Sequence, residues 1–162
     1  MTKENPTRWL PVIWGQYHPV SPAVIDYDSE YAYSHGQCFA LAYEYMKSLT
    51  KEERATHSFT ILLDKVKEET YFVHAYIKIG DGQMIDIQGI HPEESYLQDW
   101  AKSSAEKVFY TQELTYTEML NWKNHKVAQY LEKMYKQRWS VARTFVKPLK
   151  QKIRQQLTDA AS

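Results

Sequence analysis

Three side chains in this 162-residue chain could carry out acyl chemistry together: Cys38, His74 and Asp86. Cys38 is the only cysteine. It sits in HGQCFALAYEYM, behind a Gly-Gln pair and at the head of a run of helix formers. The thiolate, not the thiol, is the nucleophile. A helix start favours that anion through its partial positive charge and free N–H groups, and the same groups can hold the oxyanion of an acyl-transfer transition state. A nearby imidazolium favours the thiolate further. His74 is the candidate base, and Asp86 is the carboxylate that would fix one ring tautomer and stabilise its charged form. Gly36 has no Cβ and would let a substrate backbone approach closely. Gln37 and Gln16 are the side chains available to an oxyanion site. The reaction class is attack on an amide or thioester carbonyl: proteolysis, deamidation or acyl transfer.

Each residue also has a plainer reading. Cys38 in CFALA fits a buried small apolar side chain. His74 fits a half-buried strand aromatic with one hydrogen bond. Asp86 is harder to place this way, because aspartate is depleted in strands and seldom buried unpaired; its alternatives are a solvent face or a turn. His35 and His91 flank the three, so a mixed Cys/His/Asp metal site can be drawn, but the spacing matches no metal-binding pattern. No cofactor or metal is expected.

The elements that must position these residues can be read from periodicity. Ala40, Leu41, Ala42, Tyr45, Met46 and Leu49 recur at steps of three and four, which predicts a helix over 36–49 with Ser34 or Gly36 at its start. Thr50 followed by Glu53 is a capping-box signal. HSFTILLDKV and TYFVHAYIKI read as strands. In the second, Phe72, His74, Tyr76 and Lys78 alternate with Tyr71, Val73, Ala75, Ile77 and Ile79. GDGQ is a hairpin turn, and QMIDIQGI is the return strand. A turn centred on Asp81-Gly82 pairs residue 77 with 86 and 74 with 89, so a His74–Asp86 hydrogen bond needs a bulge or a diagonal contact. HPEESYLQDWAKS reads as a helix opening at Pro92, AEKVFYTQEL as a further strand, and the rest as helix. Residues 1–34, rich in Pro, Trp and Tyr, read as an irregular arm.

GQC, VHAYIKI and MIDIQG, within residues 34–91, resemble the papain-like superfamily of cysteine hydrolases, most closely its transglutaminase-like and cell-wall-amidase-like branches. The resemblance implies that a helix N-terminal Cys38 is the nucleophile, His74 the base and Asp86 the orienting acid. Phe39 stands where the family often has Trp. The fold it implies is α+β: a Cys-bearing helix packed on a small antiparallel sheet, with a basic C-terminal helical extension.

That extension comes from charge. The formal net charge is zero, yet residues 1–118 carry 10 Lys and Arg against 18 Asp and Glu, whereas residues 119–157 carry 10 against one, Glu132. The division suggests a papain-like unit over 1–115 and a basic helical unit over 116–162. Trp139, Ala142, Val146, Leu149, Ile153 and Leu157 form its apolar stripe, which Pro148 should kink or interrupt. Lys136, Arg138, Arg143, Lys147, Lys150 and Arg154 are candidates for binding a partner. The stripe packs on the core with the basic face turned to acids or water, or the basic face meets nucleic acid, or the helix meets a partner or membrane surface.

A composition of 43% hydrophobic and 25% charged residues with only 5 Gly is that of an ordered globular chain. One cysteine excludes an internal disulfide and a Cys-rich zinc site. With no signal-like start and no apolar run long enough to span a membrane, a cytoplasmic location is expected. Two functions remain in competition. One is a thiol hydrolase or acyltransferase with a protein or peptide substrate. The other is a non-catalytic binding protein with a degenerate papain-like fold, its basic helices holding an acidic protein or nucleic acid, for example as an inhibitor of a host complex.

Overall fold

The computed structural model describes Tyr33 and residues 37–66, 69–80, 82–103, 109–122, 128–129, 132–133, 137 and 139–161. The N-terminal arm, His35, Gly36, Lys136 and Arg138 lie outside these residues.

The chain is α+β. Helix α1, Cys38–Lys47, leads to a short α2, Lys51–Arg54, and the long strands β1, His57–Val66, and β2, Glu69–Ile79. The short β3, Gln83–Asp86, and β4, Gly89–Pro92, follow, then α3, Glu93–Ser103, β5, Phe109–Leu114, α4, Tyr116–Asn121, and α5, Trp139–Ala161. The strands form one antiparallel sheet in the order β4-β3-β2-β1-β5. Two capping boxes, Thr50 with Glu53 and Thr115 with Glu118, open α2 and α4, each worth about 1 kcal/mol.

The sheet has two unequal apolar sides. On the larger, Phe59, Ile61, Leu63, Ala75, Ile77 and Ile85 pack with α1 and α5. On the smaller, Leu62, Tyr76 and Met84 pack against Tyr96, Leu97 and Trp100 of α3. Helix α5 belongs to the larger core through Ala142, Phe145, Val146, Leu149 and Ile153. Two expectations for this helix are corrected. Pro148 does not interrupt it: the helix continues through this residue, because these buried contacts outweigh the missing hydrogen bond. Leu157, the last residue of the stripe, is 54% exposed.

Three further departures shape the site. β2 carries a bulge: Leu62 pairs with His74 but Leu63 pairs with Phe72, leaving Val73 extra. The extra residue reverses the alternation, so Phe72 joins the larger core and Val73 the smaller cluster. The β2–β3 ladder pairs Ile77 with Ile85, not with Asp86, one residue off the expected register. The expected single return strand is two strands. Ile87 and Gln88 form a tight turn between Asp86 and Gly89, closed by the Gln88 N–H donating to Asp86 Oδ1 at 3.0 Å. Gly89 takes φ +101°, a conformation side chains rarely adopt.

Candidate active site

Asp86 is the centre of a buried polar network. It ends β3, and each neighbouring strand brings a histidine to it. His74 Nε2 lies 3.2 Å from Oδ2, and His91 Nε2 lies 2.9 Å from Oδ1. The register explains both contacts. Met84 pairs with Lys78 of β2 and with His91 of β4. Continuing the ladders, Asp86 stands opposite Tyr76 on one side and is paired with Gly89 on the other. His74 and His91 are therefore its two diagonal neighbours, at a separation that side chains of this length bridge. The bulge at Val73 lies immediately before His74 and sets which way that ring is carried.

Helix α3 covers the network with Tyr96, whose ring centroid lies 5.2 Å from that of His74 and 6.5 Å from that of His91. The helix is tied to the sheet by Tyr76, whose hydroxyl donates to Glu93 at 2.7 Å. Tyr76 also stacks on His74, with centroids 5.8 Å apart.

Cys38 is the first residue of α1, with Gln37 at the N-cap position. Gln37 makes no side-chain cap; instead the Gln137 side-chain oxygen accepts from the Ala40 N–H at 3.0 Å, so one N–H of the first turn is already engaged. Cys38 and Asp86 line the same small cavity with Ala75, Ile85 and Ile87; at ≈ 10 Å³ it has room for about one water. The cavity lies where β3 stops, beyond the last β2–β3 pair.

Burial opposes a charge on the His74 ring. The Tyr96 oxygen, the Cys38 sulfur and the Asp86 carboxylate act the other way and hold its pKa well above the ordinary histidine value. Tyr96 itself is pushed up by burial and keeps its proton at neutral pH, whereas the Asp86 carboxylate supplies a standing negative charge. Burial likewise opposes the Asp86 charge, but the His74 and His91 hydrogen bonds overcome it and hold the carboxyl far below the usual carboxylate range. His74 Nδ1 is buried without a hydrogen bond of good geometry, while the Cys38 sulfur is near enough to favour the charged ring. Catalytic hydrogen bonds are often misaligned in this way before substrate arrives.

The structure thus brings Cys38, His74 and Asp86 into one neighbourhood. Tyr96 and Gln137 join them unforeseen, and His91, drawn from the sequence only as a possible metal ligand, joins them as a hydrogen-bond partner of Asp86. His91 was legible in principle: recognising the turn at Ile87-Gln88 places it diagonal to Asp86. Nothing in the sequence connects Gln137 to a helix start 97 residues away. Among the described residues, no group of three or more His, Cys, Asp or Glu is placed to hold a metal ion.

The basic residues gather elsewhere. Between α1 and α5, a groove of ≈ 500 Å³ is lined by Lys47, Arg143, Lys147, Lys150 and Arg154, with Glu44 as its acid. Arg143 Nε donates to Glu44 Oε1 at 2.8 Å. Among the described residues, no helix is long and apolar enough to cross a membrane.

No protein-family model matches the chain, no curated protein matches its sequence, and no solved structure matches its fold.

Proposed function

We propose that this protein is a thiol-dependent hydrolase or acyltransferase acting on an amide or thioester carbonyl, with Cys38 as nucleophile, His74 as base and Asp86 as orienting acid. The reading is carried by one observation: a buried Asp86–His74 hydrogen bond with the sulfur of a helix-initial cysteine beside the same ring. Asp86 occupies Nε2, which leaves Nδ1 for the thiol proton. In the reaction, His74 holds the thiol's proton at Nδ1 as an imidazolium paired with the Cys38 thiolate, sulfur attacks the carbonyl carbon, and the ring gives that proton to the leaving amine or thiolate. Water, or an acyl acceptor, then releases the thioester. Cys38 is 2% exposed, so turnover requires its surroundings to open to substrate.

The test is the rate of Cys38 alkylation by iodoacetamide across pH. The native protein is expected to react well below pH 8, with the midpoint moving up towards the free-thiol value of about 8.5 in His74→Ala. A thiol that reacts only on unfolding, or a midpoint unmoved by His74→Ala, sinks the proposal.

The groove between α1 and α5 supports a second reading, a binding protein for an acidic partner. Five cations face one carboxylate there, and Arg143 already neutralises it. Charge-driven binding of this kind weakens steeply with salt. Replacing Lys147, Lys150 and Arg154 with Gln together should abolish that salt dependence; if binding to an acidic partner keeps it, the groove is not the site.

A further inference from the structure

We propose that His91 is a positioning residue for the site, holding the Asp86 carboxylate so that its other oxygen meets His74, and that α5 sets His91 through Gln156. The role rests on the reading of Cys38, His74 and Asp86 as a site, but its structural basis is separate. His91 binds Oδ1 at 2.9 Å, and the Gln88 N–H binds the same oxygen at 3.0 Å, leaving Oδ2 to His74 at 3.2 Å. A carboxylate can rotate about its terminal bond, which is soft. Two donors on one oxygen fix that rotation. His91 is the solvent-touched member, its side chain 24% exposed while those of His74 and Asp86 are buried.

The strand that carries His91 is itself clamped. β4 is the outer strand of the sheet, and on its free side Gln156 of α5 stands in for a neighbouring strand. The Ile90 N–H donates to Gln156 Oε1 at 2.9 Å, and Gln156 Nε2 donates to the Ile90 carbonyl at 3.2 Å. Gly89 leaves room for this amide, since a Cβ there would overlap Gln156 Oε1. The C-terminal helix, whose other face bears the basic groove, is thus linked to the site by Gln156, Ile90, His91 and Asp86 in turn.

The experiment compares His91→Gln, which keeps a donor, with His91→Leu, which removes it, and adds Gln156→Ala. The first readout is the His74 Nε2–H proton by NMR, which does not depend on Cys38 being reactive. It should be sharp and slow to exchange in the native protein and in His91→Gln, and broadened or lost in His91→Leu. The second readout is Cys38 alkylation at neutral pH, expected to fall about tenfold or more in His91→Leu, to recover in His91→Gln, and to fall less in Gln156→Ala. An unchanged His74 signal in a folded His91→Leu protein overturns the proposal. If the signal responds but alkylation is equally slow in every protein, the positioning role stands and the thiol chemistry falls.

Discussion

Asp86 accepts three donors on two oxygens and is almost wholly removed from solvent. A carboxylate so placed is neutral in energy only while all its partners are present. Asp86→Asn keeps the shape but replaces an acceptor-only group with one that must turn an NH₂ towards at least one donor. It is expected to cost about 3 kcal/mol, read as a lower urea midpoint at unchanged slope. A midpoint within error of the native one would mean that the network contributes no stability. Cys38 differs in kind. It is a small buried side chain among Leu41, Ala42 and Ala75, and its plain reading as core filling fits its exposure as well as its chemistry does. What separates the two readings is the ring beside it, because an apolar core has no use for a charged histidine braced by a carboxylate.

At the scale of elements, the strands and helices that carry Cys38 and His74 were legible because their periods are clean. What escaped the sequence were breaks that leave the pattern of apolar residues intact. MIDIQGI keeps Ile85 and Ile87 inside whether it is one strand or two, so neither reports the turn; its one trace is Ile90, half-buried against the same core although it is out of phase with them by the period of two. The bulge at Val73 is equally silent, since both Phe72 and Val73 find an apolar side. Pro148 misled because a local rule was outvoted by five buried side chains on the same helix. The glycines mark both the foreseen turn, at Gly82, and the hidden one, at Gly89, and can be ranked. Gly82 has φ +77° and open space around it, whereas Gly89 has φ +101° and the Gln156 amide against it. Gly82→Ala should cost about 1 kcal/mol from backbone strain alone, and Gly89→Ala clearly more, about 2–3 kcal/mol, because strain and overlap add. Equal losses in chemical denaturation would show that Gln156 yields freely and does not clamp β4.

For the whole molecule, the network ties stability to pH. His74 has a folded pKa above its unfolded value of about 6.5, so its stabilisation is complete below that pH and is lost as pH rises through the folded value. Asp86 has a folded pKa below its unfolded value of about 3.9, so its stabilisation is complete above that pH and is lost as pH falls through the folded value. Both contributions are in full force only between about pH 4 and 6.5, which places the stability maximum on the acid side of neutrality. Tyrosines and lysines elsewhere titrate on the alkaline side as well, Lys78 among them, held up by Glu93. The informative quantity is therefore a difference, the melting temperature of the native protein minus that of His74→Gln, followed from pH 4 to 10. The groups that do not touch His74 cancel, and Asp86, which loses a donor in the variant, shows only at the acid end of the range. The difference should be flat up to about pH 6.5 and then shrink steadily as the native ring loses its proton. A difference that stays constant to pH 10 would mean that folding does not shift the His74 pKa, and one that grows up to about pH 6.5 would mean that the folded ring is neutral; on either outcome the braced imidazolium on which the proposed chemistry depends would have to be abandoned.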